Sequence, residues 1–502
     1  MDLNEIRQQI DTVDNEIVAL LEERMKLVTR VSAYKQRTGK AIYDPEREQA
    51  LLDKVGDSVV NPEYKEAIVA SFADIMKHSR TYQASKLEEK LATRMKVRQL
   101  SDSQGLSYLH LVMLSLYAIL LGVLVGLIDA IFGRVLIGLS EFRDHHLFYL
   151  VPALPLAGLL IVYLYQKFAG KAAQGMGLIF KVGHNEEDQV PLRLIPLVTV
   201  TTWLTHLFGG SAGREGVAVQ LGATVSHAFS RYFKLPNASR IFLTMGMAAG
   251  FGGLFQTPIA ATFFALEVLT LGQLSLPILV PTLIASFVAS TTSHLLGLEK
   301  FSHFVSESLT IDLGTFMKLA LLGLAFGLAG NLFAYLLSLA KKKVASLLPN
   351  PYYRVLLGSV VLTCLLLILW KGRYTGLGTN LIALSVGGGT IYPLDWLLKL
   401  LLTVFTLSLG FQGGEVTPLF AIGASLGAVL APVLGLPIPL VAGLGYLSVF
   451  GSSTNTLLAP IFIGVEVFGP ANALPYAIVM AFAYLINHKT SIYGQQKMLE
   501  MQ

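Results

Sequence analysis

The chain has 502 residues, 53% of them hydrophobic and only 14% charged, with a formal net charge of +5. Soluble domains carry roughly 25% charged residues, so a protein soluble throughout is excluded. The single cysteine, Cys364, excludes an intrachain disulfide framework and a cysteine zinc site. The basic residues gather beside apolar segments, at 86–98 and 341–343, which is positive-inside patterning rather than the footprint of a nucleic-acid binder.

Residues 2–38 read as one long amphipathic helix, with Ile6, Ile10, Val13, Ile17, Leu20, Leu21, Leu27, Val28 and Val31 on one face. Thr38-Gly39-Lys40 ends it. Pro45 opens a second helix over 45–57, and Asn61-Pro62 opens a third that runs to about residue 90. Three helices, one very long, cannot bury their apolar faces in a compact monomer, so a dimer of interlocked helices is expected. The first residues are charged, so no cleaved signal peptide is expected and this domain should stay in the cytoplasm.

From residue 106 the chain becomes apolar, in segments near 106–132, 147–166, 194–208, 241–266, 268–298, 313–340, 354–370, 376–394, 396–414 and 416–486. Several are shorter or more broken than the ~20 residues of a simple spanning helix. Val416 to Val465 contains no Asp, Glu, Lys or Arg, yet Gly and Pro interrupt it repeatedly. Short, broken helices follow, and irregular backbone at membrane depth survives only where it lines a cavity or is buried in protein. Glu307 and Asp312 lie one crossing before the lysines at 341–343, as the positive-inside pattern allows.

Two glycine-rich, charge-bearing breaks fall in the two halves of this region. The first is Gly209-Gly210-Ser211-Ala212-Gly213-Arg214-Glu215-Gly216, and between Arg193 and Arg231 its Arg214 and Glu215 are the only Asp, Glu, Lys or Arg residues. The second is Gly410-Phe411-Gln412-Gly413-Gly414-Glu415-Val416-Thr417-Pro418. An ionisable residue at membrane depth marks a functional site. Glycines let backbone approach a ligand, and the helix that begins at Val217 offers free N–H groups and a positive dipole end to an anion. Glu215 would compete for that site with its own carboxylate, which suggests an anion pore gated by the side chain. Interrupted helices in corresponding positions of two halves point to a midplane site between inverted repeats.

These motifs resemble those of the CLC chloride channels and proton-coupled antiporters over residues 105–495. Gly210–Gly216 is similar to that family's gating signature, Ala249-Gly250-Phe251-Gly252-Gly253-Leu254-Phe255-Gln256-Thr257-Pro258-Ile259-Ala260 to the next, and Gly413–Pro418 occupies the place of the third. The resemblance implies a homodimer with one pore per subunit, each binding anions at the N-termini of three broken helices. Three departures resemble the fluoride/proton antiporter branch. The first pore loop reads Gly175-Met176-Gly177, with methionine where a serine is usual; the third signature carries Glu415 and Thr417; and Val268, beside Glu267, stands at the usual acidic relay. Fluoride is small and strongly hydrated, so its pore must replace lost water with N–H and hydroxyl donors. Thr417 and the backbone N–H groups near Val416 can donate, while Met176 adds polarizable apolar surface. The resemblance implies that Glu215 is gate and proton carrier, that Glu415 handles protons or anions, and that Tyr493 in Ser491-Ile492-Tyr493-Gly494 faces the anion. Gly213 lets the loop reach the ion. Arg214 is expected to hold the loop, and Glu267 to be structural or to face the cytoplasm.

Residues 1–85 resemble the all-helical chorismate mutases. The match runs through Arg7 in Ile-Arg-Gln-Gln-Ile, Arg24 in Glu-Glu-Arg-Met, Lys35 in Ala-Tyr-Lys-Gln, Asp44, Arg47 and Glu48 in Tyr-Asp-Pro-Glu-Arg-Glu, then Ser79 and Gln83. Chorismate is a dicarboxylate, which suits the bidentate guanidinium groups of Arg7, Arg24 and Arg47. Its rearrangement to prephenate is unimolecular, so catalysis rests on holding a compact conformer and stabilising charge on the breaking ether oxygen. The resemblance implies that Lys35 and Gln83 donate to that oxygen, that Glu48 accepts from the ring hydroxyl, and that Arg7 enters from the partner subunit.

The expected fold is all-α: a three-helix domain (1–85) forming an interlocked dimer, a basic linker (86–104), a polytopic CLC-type domain with inverted repeats (105–495), and a tail (496–502). The expected function is fluoride export in exchange for protons at the cell inner (plasma) membrane, multi-pass, with chorismate converted in the cytoplasm and neither cofactor nor metal required. The competing reading is a chloride channel or chloride/proton antiporter carrying a catalytically inactive, ligand-sensing mutase-like domain.

Overall fold

The computed structural model describes residues 2–38, 44–102, 106–233, 235, 237–486 and 490–498, without the side chains of 32–38 and 84–102. The chain divides into two compact units, Met1–Gly105 and Leu106–Gln502.

In the first unit, α1 spans Leu3–Thr38, α2 Pro45–Ser58 and α3 Lys65–Asp102, with a 3-10 turn at Pro62–Tyr64. Asp44 caps α2 by accepting from Arg47 N at 3.2 Å, and Pro45 fills the first turn, where a missing N–H costs nothing. Asn61 caps the 3-10 turn in the same way, accepting from Glu63 N at 3.1 Å. The third helix does not stop near residue 90. It continues to Asp102, so the segment expected as a linker is largely helical. The reason lies in its composition: residues 65–102 contain neither Gly nor Pro and are rich in Lys, Leu, Glu and Ala. Along α1 the apolar stripe is uncovered, with Ile10 53% and Leu20 65% exposed, whereas Val28 is buried. The three helices thus leave most of the α1 face without a partner within one chain.

Among the described residues of the second unit, regular structure is helical apart from one two-residue parallel strand pair, Thr270–Leu271 with Lys497–Met498. Its first half runs α4 (Tyr108–His145), α5 (Leu147–Leu150), α6 (Leu154–Leu164), α7 (Met176–Gly183), α8 (Leu194–Leu207), α9 (Glu215–Ser230), α10 (Ala238–Phe255), α11 (Pro258–Glu267) and α12 (Leu279–Leu295). The second half runs α13 (Leu313–Leu347), α14 (Pro351–Ile368), α15 (Thr379–Val386), α16 (Asp395–Leu409), α17 (Val416–Leu434), α18 (Ile438–Thr454), α19 (Leu458–Phe468) and α20 (Ala473–Ile486). Among the described residues, seven helical stretches are long and apolar enough to cross a membrane, and the other apolar helices of this unit are shorter. The segment read as 241–266 is broken at Gln256, whose left-handed backbone (φ +62°) and following Thr257-Pro258 end α10 and start α11.

The halves repeat one construction. In the α9/α10 pair a Cβ on Gly222 would collide with Gly246 O, and one on Gly250 with Ala218 O. In the α17/α18 pair the same holds for Gly423 against Gly445 O and Gly427 against Val441 O. Small residues four apart let backbones touch where lipid supplies no hydrophobic drive to pack. Asn455 (φ +54°) ends α18 as Gln256 ends α10. Helices α11 and α19 then cap one another. Glu267 accepts from Leu457 N, Leu458 N and Ala459 N at 3.1, 3.2 and 2.8 Å, while Glu466 accepts from Ile259 N and Ala260 N at 3.2 and 2.8 Å. Each carboxylate meets the N–H groups that a helix start leaves unpaired.

Candidate functional site: a carboxylate seated on a helix N-terminus

The two glycine-rich breaks meet at the centre of the second unit. Gly213 N donates to Gly414 O at 2.5 Å and Gly414 N to Gly213 O at 2.7 Å, an isolated antiparallel bridge. Only glycine fits at Gly213, since a Cβ there would stand 2.8 Å from Pro418 Cδ and 2.9 Å from Gly414 O. The bridge sets the start of α9 beside the start of α17.

Glu215 opens α9 and is 1% exposed. Its carboxylate does not turn back onto its own helix, as the sequence suggested, but crosses to α17. There Oε2 accepts from Thr417 N at 3.2 Å and from Thr417 Oγ1 in a short bond, and also from Arg214 N at 3.3 Å. Arg214 Nε lies 3.5 Å from Oε1. The donors at this helix start are few. Pro418 has no N–H, so the first turn of α17 offers the N–H groups of Val416 and Thr417 and the Thr417 hydroxyl. A carboxylate holds donors that an anion could use. Thr417, expected as a donor to fluoride, is engaged by Glu215.

Glu415 is the residue just before α17, and its side chain makes no capping hydrogen bond to that helix. Its side chain is 17% exposed, Lys341 Nζ of α13 lies 4.0 Å away, and a Cβ on Gly216 would stand 3.6 Å from its Oε2. The two acids therefore flank one helix N-terminus. Tyr493 is buried. It stacks on Phe180 of α7 at 5.1 Å and meets Phe264 of α11 edge-on at 6.4 Å, with its hydroxyl buried and unpartnered. Met176 is the half-buried first residue of α7, behind Gly175 at φ +51°. The structure thus gathers Gly213, Glu215, Glu415, Val416 and Thr417 at one point, while Met176 opens α7 and Tyr493 packs against it.

Several groups escaped the sequence reading. Lys399 of α16 is fully buried and donates to Ser211 Oγ at 2.9 Å, Gly376 O at 2.7 Å and Tyr374 O at 3.2 Å, bracing the Gly209–Gly216 loop. A lone lysine within an apolar segment was its visible signal. Glu466 gave the same signal, as the only Asp, Glu, Lys or Arg between Glu415 and Lys489, while Lys341 showed only as one of a basic run; the partners of both lie far off in sequence. Glu267 is half-buried and caps α19. Among the described residues, the Arg214 side chain reaches only the neighbouring Glu215 Oε1, at 3.5 Å from its Nε, leaves Nη1 buried without a hydrogen-bond partner, and lines a cavity of about 630 Å³ shared with Arg143, Lys371 and Arg373. Arg143 pairs with Asp144 and Arg373 with Asp395, yet the lining cations outnumber the lining acids Glu141 and Asp144.

In the first unit, Arg24 Nη1 donates to Ser79 Oγ at 2.6 Å, joining α1 to α3. Gln83 is buried, with an unpartnered Oε1. Glu48 of α2 is paired with Arg80 of α3. Arg24, Glu48, Ser79 and Gln83 therefore fall on facing parts of the three helices. Asp44 is occupied as a helix cap, and Arg47 beside it is exposed. Arg7 stands exposed near the other end of α1, about 25 Å from Arg24 at the rise of a helix, so one chain does not bring the two together. The Lys35 side chain lies outside the described residues.

A membrane protein built from two halves of broken helices, with two helix starts brought together around a buried carboxylate, is the class that this fold and site define. Residues 157–488 match the family described as voltage gated chloride channel, and residues 6–84 match chorismate mutase type II. A chloride/fluoride channel protein of Pseudomonas syringae pv. tomato is 35% identical over 385 residues, covering 75% of this chain and 85% of that protein. The crystal structure of a CLC-type fluoride/proton antiporter is 54% identical with a TM-score of 0.77, covering 78% of this chain and all of that one. A slow cyanobacterial Cl−/H+ antiporter shares the fold at 19% identity, with a TM-score of 0.65 over 74% of this chain. The chain belongs to the CLC family, with a chorismate mutase type II domain ahead of its membrane unit.

Proposed function

We propose that the membrane unit exports fluoride in exchange for protons and that the N-terminal unit converts chorismate to prephenate. The observation that carries the first half is the Glu215 carboxylate bonded to Thr417 N and Oγ1. Those donors suit a small, strongly hydrated anion, and a carboxylate on them must leave before the anion binds. Once displaced, Glu215 takes a proton, and the neutral acid no longer competes for the positive end of α17. Return of the charged side chain to Thr417 expels the anion. One anion and one proton carrier cannot share the donors, and that exclusion is the coupling. Glu415, beside Lys341, gives the path a second acid. The likeness to a fluoride/proton antiporter at 54% identity supports fluoride as the ion.

In the mutase unit, Arg24 and Ser79 form a polar floor, with Gln83 nearby carrying unspent hydrogen-bonding capacity. Arg7, distant within one chain, would serve the site of a second copy, which accords with the uncovered α1 face. The assembly is then a homodimer in the plasma membrane with its N-terminal unit in the cytoplasm. Proteoliposomes of the full chain test both halves. Fluoride efflux faster than chloride efflux with opposite proton movement, and loss of chorismate absorbance, are the expected results. Equal efflux of the two anions would favour a chloride transporter, and an inert but folded mutase unit a sensor.

A further inference from the structure

An apolar groove of about 440 Å³ runs between α13, α14 and α16, walled by Leu336, Leu339, Leu347, Leu365, Leu401 and Phe405. Its lining has one charged group, Lys343. That lysine ends the run Lys341-Lys342-Lys343 in the turn before the last turn of α13. The groove is therefore apolar apart from one cation, set a turn short of the end of α13. Chain and head of a phospholipid have the same arrangement. Lys343 can lay its stem along the apolar wall and hold its ammonium at the headgroup level. Runs of lysine beside a spanning helix attract anionic lipid. A volume of about 440 Å³ suits one acyl chain.

We propose that this groove is a binding site for an anionic phospholipid, with one acyl chain between α13, α14 and α16 and its phosphate on Lys342 and Lys343. Charge complementarity selects the head, and the apolar walls select a chain-bearing ligand over a free anion. The site is independent of the ion path, although Lys341, in the same run, faces Glu415.

Native mass spectrometry of the full chain with added phosphatidylglycerol or phosphatidylcholine tests this. The wild type should retain phosphatidylglycerol in preference, and Lys342→Ala/Lys343→Ala should lose roughly fivefold in retention per lysine. The Lys342→Arg/Lys343→Arg variant should restore it, which separates charge from misfolding. A second variant, Ala340→Phe, fills the groove and should lower retention with the lysines intact. Equal retention of both lipids, unchanged retention in the double alanine variant, or displacement by inorganic phosphate alone would overturn the proposal. So would a dimer whose second copy covers the groove and excludes lipid.

Discussion

Substituting Glu215 by glutamine separates charge from shape at the centre of the site. In the wild type Oε2 draws on Thr417 N at 3.2 Å, Thr417 Oγ1 and Arg214 N at 3.3 Å. A bond to a charged acceptor contributes about 1 kcal/mol more than one to a neutral amide oxygen. Three such bonds amount to about 3 kcal/mol, or roughly a hundredfold in occupancy of the position. The amide also presents hydrogens that face donors and find no acceptor among them. Fluoride should therefore bind Glu215→Gln more tightly, by up to roughly a hundredfold, because it no longer has to displace a carboxylate. Proton coupling should disappear, since an amide carries no proton at working pH. Titration calorimetry on purified protein measures the first effect, and proteoliposomes with a fluoride electrode and a pH probe the second. A variant that still drives protons uphill from a fluoride gradient refutes Glu215 as carrier. Unchanged fluoride affinity refutes competition for Thr417.

Thr417→Val removes the hydroxyl and keeps the N–H; fluoride efflux should fall roughly tenfold, and an unaltered rate would count against a hydroxyl donor. Gly423→Leu drives a side chain into Gly445 O and should abolish a monodisperse peak in size-exclusion chromatography, whereas Gly138→Ala, with open space around its Cβ, should leave that peak unchanged. Lys35→Ala in the full chain should cut chorismate turnover roughly a hundredfold by removing a donor to the breaking bond, with circular dichroism unchanged; full activity would mean that another group carries that role. In the membrane unit, Asp129 is fully buried with both oxygens unpartnered. An isolated buried charge is costly, so Asp129→Asn, of equal shape, should show a melting temperature no lower than wild type, and a large drop would reveal a partner that needs the acid.

The sequence carried the breaks better than the bonds. Glycine clusters holding a lone acid announced both pore loops, because glycine and charge are rare for separate reasons at membrane depth. Asp44-Pro45 and Asn61-Pro62 announced two helix starts through capping chemistry that acts within three residues. What stayed illegible is pairing across the fold. Glu215 on Thr417, Lys341 beside Glu415 and Lys399 under Ser211 join residues whose meeting depends on the helix crossings. The end of α3 was misjudged for a different reason: the basic composition of 86–102 suggested a solvated connector, while its helix-forming residues carried the helix on to Asp102. Gln256 gave a usable sign in the proline two positions later, but the apolar run around it masked the break.

The reciprocal carboxylates of α11 and α19 constrain how the molecule can work. Five backbone N–H groups, three on Glu267 and two on Glu466, tie the head of each helix to the tail of the other. Sliding one past the other would tear both ends at once, so shear, a common mode in packed helices, is closed to this pair. The two behave as a single strut. An exchange cycle built on such a frame has to run through what is free to swing, a three-torsion side chain beside a glycine, while the wall beside it stays still.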